Sequence, residues 1–520
     1  MEQFSSDSLH TPVSYAVSHW GSDPYIQGAW SQLSVGGSPL DREVLGSTIS
    51  NRLILAGEAC HVTYPAMVHG AALSGIHAAE AMSRKMKKMT DQDGSEGLPV
   101  VVIGAGAAGL HAASTMQNVL SGSDTMEQVE EGVKQKGVIV LEASGRTGGR
   151  VHTTPLPDSM PPSRSTAHTS TPLPFPSPDG EKNCVRVDLG ASWLQQFPDN
   201  FLAMRAAELG LKLHPTDFQS ALCAASDGLP LDDLHTMVDK LCDVAVNEVD
   251  KASVGGPAGK KSTDEEDGSD PNVAVDLSIV DALQQYIISL PEAEQRLANL
   301  ALSGDINSDF GYFLHDTSAR HALLELGIGN GDHYMQEGYS AVLEPVARDL
   351  NIRLNTPVSR IDWSGEEYVD VITSTGEVIR ASHCICTVPV SILKSPDKLS
   401  FDPPLPAPHL RALRHIHQGK CEKVVLRFKT RWWPHSSNGL YRWYDSTAGP
   451  SDQPYFPMQL DWNEWLDMTD CLGVPVVVGF CVGEEACARH HGGRSDAEIA
   501  AAASRAFQAW AWHRNQLTDR

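Results

Sequence analysis

PVVVIGAGAAGLHAASTMQNVL, residues 99–120, is the stretch whose reading decides the fold. It opens on the β-branched run Val100–Ile103, turns through Gly104, Gly106 and Gly109, and continues with apolar residues at helical spacing. A second β-branched run, GVIVLEA (137–143), follows. Short apolar runs on either side of a helix are the pattern of buried parallel strands, so a β-α-β unit is expected. In that unit the first glycine permits the tight turn. The second lets backbone approach a pyrophosphate, and the third lets helix and strand pack closely, with the phosphates at the positive helix end.

Outward from this unit the next residues suit the same ligand. Glu142 ends the second strand. It lies within reach of the roughly 20-residue offset of a ribose-binding acid once the polar insertion 121–136 is set aside. ASGRTGGRV (143–151) then supplies Arg146, Gly148, Gly149 and Arg150. Guanidinium groups grip phosphate oxygens bidentately, so both arginines are candidate phosphate ligands.

Composition narrows the possible partners. A chain of 520 residues exceeds what one hydrophobic core usually organises, so two intertwined domains are expected. The formal charge of −25 opposes a polyanion, which argues against a nucleic-acid partner and favours a cationic ligand. Ten cysteines without framework spacing do not form a disulfide scaffold, and reduced thiols are expected. No apolar run reaches the roughly 20 residues that span a bilayer, so no membrane association is expected. MEQFSSDSLH has no signal-peptide pattern and LTDR is not the peroxisomal tripeptide, which makes the expected location intracellular and cytoplasmic. No metal site is expected.

Three polar stretches are expected to be insertions or linkers: residues 83–97, 154–182 and 251–272. VSRIDW, YVDVITS, EVIRAS and HCICTVP are expected to be successive strands of one sheet, and DAEIAAAASRAFQAWAWH an amphipathic helix.

The runs VVVIGAGAAGL, VLEASGRTGGRV and VDLGASWL (187–194) resemble the amino-terminal FAD-binding region of the flavin amine oxidases, a family that includes polyamine oxidases, monoamine oxidases and lysine-specific histone demethylases. The resemblance continues through HYMQEGYSAVLEPVARDLNIRLNTPVSRIDW (333–363), TVPVSILKSPDKLSFDPPLP (387–406) and IHQGKCEKVVLRFKTRWWP (416–434). HWGSDPYIQGAWSQL (19–33) and NRLILAGEACHVTYPAMVHGAALSGIHAAEAM (51–82) are similar to the segment that the family places last. Here that segment comes first. The order implied is a circular permutation; fragments of tandem copies joined in one reading frame would give the same order.

The resemblance implies noncovalent FAD, with Gly104, Gly106, Gly109, Glu142, Arg146, Gly149, Arg150, Gly57, Glu58 and Val68 around it and the Val358 backbone on the adenine. It implies that Lys423 holds a water against flavin N5 and that Trp30 walls a cage for the amine, opposite Met67. Met67 departs from the tyrosine or threonine usual there. Gln195 and Gln196 stand where polyamine oxidases often have His or Glu, and an amide supplies no charge. Ala29 replaces the cysteine that links flavin covalently in monoamine oxidases.

The fold class expected is therefore α/β: a Rossmann-like FAD-binding domain plus an α+β substrate domain, amine oxidase-like, in permuted order. Residues 1–90, 98–195 and 330–410 are assigned to the FAD domain, and 200–325 with 411–520 to the substrate domain. The expected reaction is oxidation of a polyamine such as spermine or spermidine, with dioxygen reduced to hydrogen peroxide. The alternatives are a monoamine, L-amino-acid or histone demethylase-like oxidase, or a flavin-binding pseudoenzyme. Oligomeric state is left open.

Overall fold

A computed structural model describes residues 10–89, 97–121, 137–160, 184–195, 198–255, 276–326, 331–435, 439–444 and 461–518. The strand Val100–Ile103 shows how its centre is built. Val100 and Val102 face a cluster with Leu110 and Met116 of the helix Ala107–Ser121 and with Met82 of the helix Val68–Met89. Val101 and Ile103 face the other way, toward Ile361, Val369 and Val371. A strand apolar on both faces must be covered on both, and this one is.

It lies in a five-stranded parallel sheet, in the order Ile352–Arg353, Val138–Leu141, Val100–Ile103, His383–Cys386, Leu53–Leu55. The expected β-α-β unit is present, and the head of the chain supplies an edge strand of the same sheet. The two covering helices cross closely enough that a Cβ on Gly75 would lie 2.0 Å from the Ala108 carbonyl oxygen. A second sheet of Val378–Ala381, Val369–Thr373, Val358–Asp362 and Ser400–Asp402 covers the opposite face.

A six-stranded sheet forms the other half, in the order Ser14–Val17, Cys421–Arg427, Val476–Val482, Glu464–Asp467, Leu440–Tyr444, Leu222–Ala225. The helix Asp496–Thr518 lays Phe507 and Trp510 against Tyr441 and Trp465 of this sheet. Helices Leu234–Gly255, Ile279–Ser289 and Glu292–Leu300 pack around a core of their own that includes Tyr444.

Four expectations change. HCICTVP does not continue the sheet of its predecessors: His383–Cys386 crosses into the parallel sheet, where all four residues are buried. The head, assigned wholly to the FAD domain, also gives Ser14–Val17 to the six-stranded sheet. That sheet takes a strand from residues 222–225 as well, so it is not made from the last quarter of the chain alone. The polar stretches begin inside regular elements, since helix Val68–Met89 runs into the first, strand Thr153–Leu156 into the second and helix Leu234–Gly255 into the third. Residues 90–96, 161–182 and 256–272 of these stretches, and residues 122–136 of the insertion 121–136, lie outside the described residues.

Candidate active site

The glycine turn sits where the parallel strands end and the helix Ala107–Ser121 begins. Gly104 has φ +97°, a conformation that side chains disfavour, and its N–H donates to the Leu141 carbonyl at 2.8 Å. Glu142 closes over the turn. Its Oε2 accepts from the Ala105 N–H at 2.7 Å, and its Oε1 accepts from Ser144 N–H and Oγ at 2.8 and 2.7 Å. Gly148 N–H donates to the Ala105 carbonyl at 2.8 Å, which brings Gly148 and Gly149 beside Gly106. A Cβ on Gly106 would meet nothing nearer than 3.8 Å, so backbone faces open space there. Gly109 is required for packing: its Cβ would stand 1.9 Å from the Gly104 carbonyl oxygen.

Val358 begins its strand two residues past Thr356, whose N–H donates to the Glu142 carbonyl at 2.8 Å. That places it at the Glu142 end of the turn. Arg146 packs its guanidinium 5.6 Å from the Trp20 ring and donates to the carbonyls of Thr147 and Val151. Arg150 differs from expectation. It donates to the Ala29 carbonyl at 2.5 Å and to Glu58 Oε1 at 2.9 Å, so it ties the head to the glycine-rich loop as well as facing the site.

Glu58 is the junction of the head. It is buried, and its Oε2 accepts from Ser31 Oγ at 2.6 Å and from the Ala66 N–H at 3.0 Å. Burial pushes this carboxyl up, but the Arg150 guanidinium, the Ser31 hydroxyl and Arg42 overcome it and hold the group below its usual range. Ser31 follows Trp30 and Ala66 precedes Met67, so one carboxylate fixes the backbone at both expected cage positions. Ala66 sits at φ +62°, a strained conformation for a residue with a side chain. Val68 opens the helix beyond it, half-buried.

Gly57 and Glu58 line a crevice together with Arg150, Thr387, Val388 and Pro389. Thr387 Oγ1 would lie 2.6 Å from a Cβ on Gly104. Head, glycine turn and Arg150 therefore border one space. Gly57 has φ +139° and a Cβ there would touch nothing within 4 Å.

Lys423 lies on the strand Cys421–Arg427, opposite Phe480. It is buried, and its Nζ donates to the Gly190 carbonyl and to Ser192 Oγ, each at 2.5 Å. The rings of Phe480 and Trp193 stand 5.1 and 5.6 Å from it. Burial lowers the ammonium to about 8, partly countered by the Asp188 carboxylate. Trp30 packs on the same apolar cluster as Trp193 and Phe480, and its indole N–H donates to the Asp309 carbonyl at 3.0 Å.

Gln195 is half-buried, and its carbonyl accepts from Asn200 Nδ2 at 3.0 Å. Its contacts lead to Asn200 and His69, away from those of Lys423. Gln196 lies outside the described residues. Sequence reading missed Ser192, Gly190 and Asp188 as neighbours of Lys423, although all three stand in the quoted run VDLGASWL. It also missed Asp309, for which no local pattern gave a signal.

Comparisons with known proteins bear on this arrangement. The family model described as flavin containing amine oxidoreductase matches residues 4–83 and 107–513. A probable polyamine oxidase 4 of Arabidopsis thaliana is 28% identical over 308 residues, 57% of this chain and 54% of that protein. A lysine-specific histone demethylase 2 of Homo sapiens is 28% identical over 310 residues, 58% of this chain and 33% of that protein. A solved putrescine oxidase, redesigned in its cofactor binding, superposes with a TM-score of 0.47 at 20% identity, covering 77% of this chain and 79% of that one. The chain spans about half the length of the polyamine oxidases it matches.

Proposed function

The chain belongs to the flavin-containing amine oxidoreductases, and from that premise we propose that it oxidises an amine with dioxygen as electron acceptor, a polyamine being the substrate. The observation that carries this reading is the closure of the head onto the glycine turn. Gly57, Glu58 and Arg150 border one crevice, with Trp30 one residue from Ser31 on the same Glu58 carboxylate.

The residues present fit FAD. The open face of Gly106 at a helix N-terminus suits a pyrophosphate, and the empty space beside Gly57 suits a ligand pressed against backbone. Gly104, Gly106, Gly109, Gly149 and Arg146 would hold the phosphates, Glu142 a ribose, Val358 the adenine, and Gly57, Glu58 and Val68 the flavin side. Ala29 offers no thiol, so the cofactor is held noncovalently. When bound, FAD supplies the two-electron oxidant that takes hydride from the carbon next to the amine nitrogen and passes the electrons to dioxygen.

The protein's part is orientation and proton handling. Trp30 presents a π-face whose tilt is set by the bond to Asp309, and such a face attracts an amine cation. Lys423 has given two N–H groups to Gly190 and Ser192, which leaves one for a water. Lowered to about 8, it can release or hold a proton near neutral pH. An amino-acid substrate would need an arginine for its carboxylate. Arg442, whose charge is felt at Asp309, is already bound to Asp305 and to Glu464, which favours a substrate without a carboxylate.

The test is anaerobic mixing of the purified holoprotein with spermine, spermidine, monoamines and L-amino acids. Polyamines are expected to bleach the flavin absorbance, and air to restore it with release of hydrogen peroxide. A flavin that no amine bleaches would overturn the reading and point to a pseudoenzyme.

A further inference from the structure

Glu422 and Lys423 are neighbours on the strand Cys421–Arg427, and side chains alternate across a strand. The lysine stands beside the Phe480 and Trp193 rings, whereas the glutamate meets the head of the chain. Glu422 is buried and accepts three hydrogen bonds there: from Ser18 Oγ and the Trp20 N–H to Oε2, at 2.5 and 3.0 Å, and from the Gly21 N–H to Oε1 at 2.7 Å. A buried carboxylate is tolerated only when its oxygens are bonded, and the amine chemistry above makes no use of this one. Ser18 ties the same two segments through their backbones. Its Oγ accepts from the Lys423 N–H at 2.7 Å, and its N–H donates to the Lys423 carbonyl at 2.9 Å.

Trp20 carries the connection onward. It is buried, and its indole N–H donates to the Leu189 carbonyl at 2.7 Å. Leu189 is held from its other side too, because its N–H donates to the His152 carbonyl at 2.9 Å and the His152 ring stands edge-on to the indole. Leu189 immediately precedes Gly190, whose carbonyl takes the Lys423 ammonium. The bonds therefore close into a ring: Lys423 ammonium, Gly190 and Leu189, Trp20 indole, Trp20 N–H, Glu422, and back along the strand to Lys423. An ammonium on a flexible four-carbon stem has no direction of its own, so its acceptors aim it. Trp20 fixes where those acceptors stand.

We propose that Trp20 is a positioning residue for Lys423: its indole holds the loop bearing Gly190 and Ser192 under the ammonium, and Glu422 fastens the backbone of Trp20 to the strand that carries the lysine. The role in turnover rests on the amine oxidation proposed above; the ring of bonds stands without it. Tryptophan suits the task because its one donor lies far out on a rigid ring, which spans from the strand to the loop.

The experiment is a double-mutant cycle on the holoprotein: Trp20→Phe, Lys423→Met, and the two together. Phenylalanine removes the indole N–H but keeps an aromatic ring beside the Arg146 guanidinium, 5.6 Å away in the wild type. Turnover of spermidine is expected to fall about 10-fold in Trp20→Phe. Added to Lys423→Met, the same substitution is expected to cost less than about 2-fold, because the group it positions is gone. Equal losses in both backgrounds, the mark of a purely structural indole, would overturn the proposal, as would unchanged turnover in Trp20→Phe. Should Trp20→Phe not fold, Glu422→Gln takes its place in the cycle with the same two outcomes, since its amide sets a donor against the donors of the head. A wild type whose flavin no amine reduces would overturn the amine reaction instead. Melting of the same four proteins then decides: Trp20→Phe should lower the melting temperature less in the Lys423→Met background than in the wild type, and equal falls would overturn the positioning role.

Discussion

Replacing Lys423 by methionine separates the chemistry of this residue from its role in the fold. The ordinary ammonium value of 10.5 falls to about 8 in the folded protein, where the side chain is 5% exposed. At about 1.4 kcal/mol per factor of ten, that difference is a penalty of about 3 kcal/mol on the folded ammonium. Methionine removes the penalty. It also strips donors from the Gly190 carbonyl and Ser192 Oγ, at about 1–2 kcal/mol each. The two effects nearly cancel, so the melting temperature of the holoprotein should stay within about 3 °C of the wild type.

Turnover, by contrast, should slow at least about 10-fold, because methionine carries no proton to release or hold. The sign of the pH effect gives a second check. Below about 8 both folded and unfolded lysine are charged and the whole penalty is present; above 10.5 both are neutral and it is absent. The wild type should therefore gain stability relative to Lys423→Met between these limits. Melting followed by flavin fluorescence, with stopped-flow reduction and reoxidation, reads all three quantities. Loss of flavin, unchanged turnover, or parallel pH curves for the two proteins would refute the reasoning.

Two glycines should fail in different ways. Gly57→Ala has room for its methyl but holds φ +139°, so it should fold with a strain of about 1–3 kcal/mol and lose flavin, read as a lower flavin-to-protein ratio. Gly75→Ala drives a methyl into the Ala108 carbonyl and should lower the yield of folded protein itself. For the chain order, we propose the circular permutation. The His10 carbonyl accepts from Gln508 Nε2 at 3.0 Å, so the head already lies on the helix Asp496–Thr518. A chain reordered as residues 98–520, a short Gly/Ser linker, then residues 10–89 should fold with flavin bound. Failure of the natural order to purify with flavin would support joined fragments instead.

Local patterns determined a good deal. Gly104, Gly106 and Gly109 announce their strand, turn and helix because each answers a steric demand of residues within a few positions. Glu142 is legible for a similar reason, since the parallel partner of Val100–Ile103 had to end beside the turn. Alternation of apolar residues located the strands, but not their sheets. His383–Cys386 looks like its neighbours in sequence, and only the gap between Val100–Ile103 and Leu53–Leu55 makes it cross into the parallel sheet.

The partners of the functional side chains came from tertiary structure alone. Lys423 meets Gly190 and Ser192 across more than 200 positions, and Arg150 meets Glu58 across 92. Asp309 has no pattern of its own, and its carbonyl meets the Trp30 indole across 279 positions. Periodicity records which face of an element must leave water, because that demand acts residue by residue. Which charge neutralises which depends on distances that close only when remote segments pack, and no spacing along the chain encodes them.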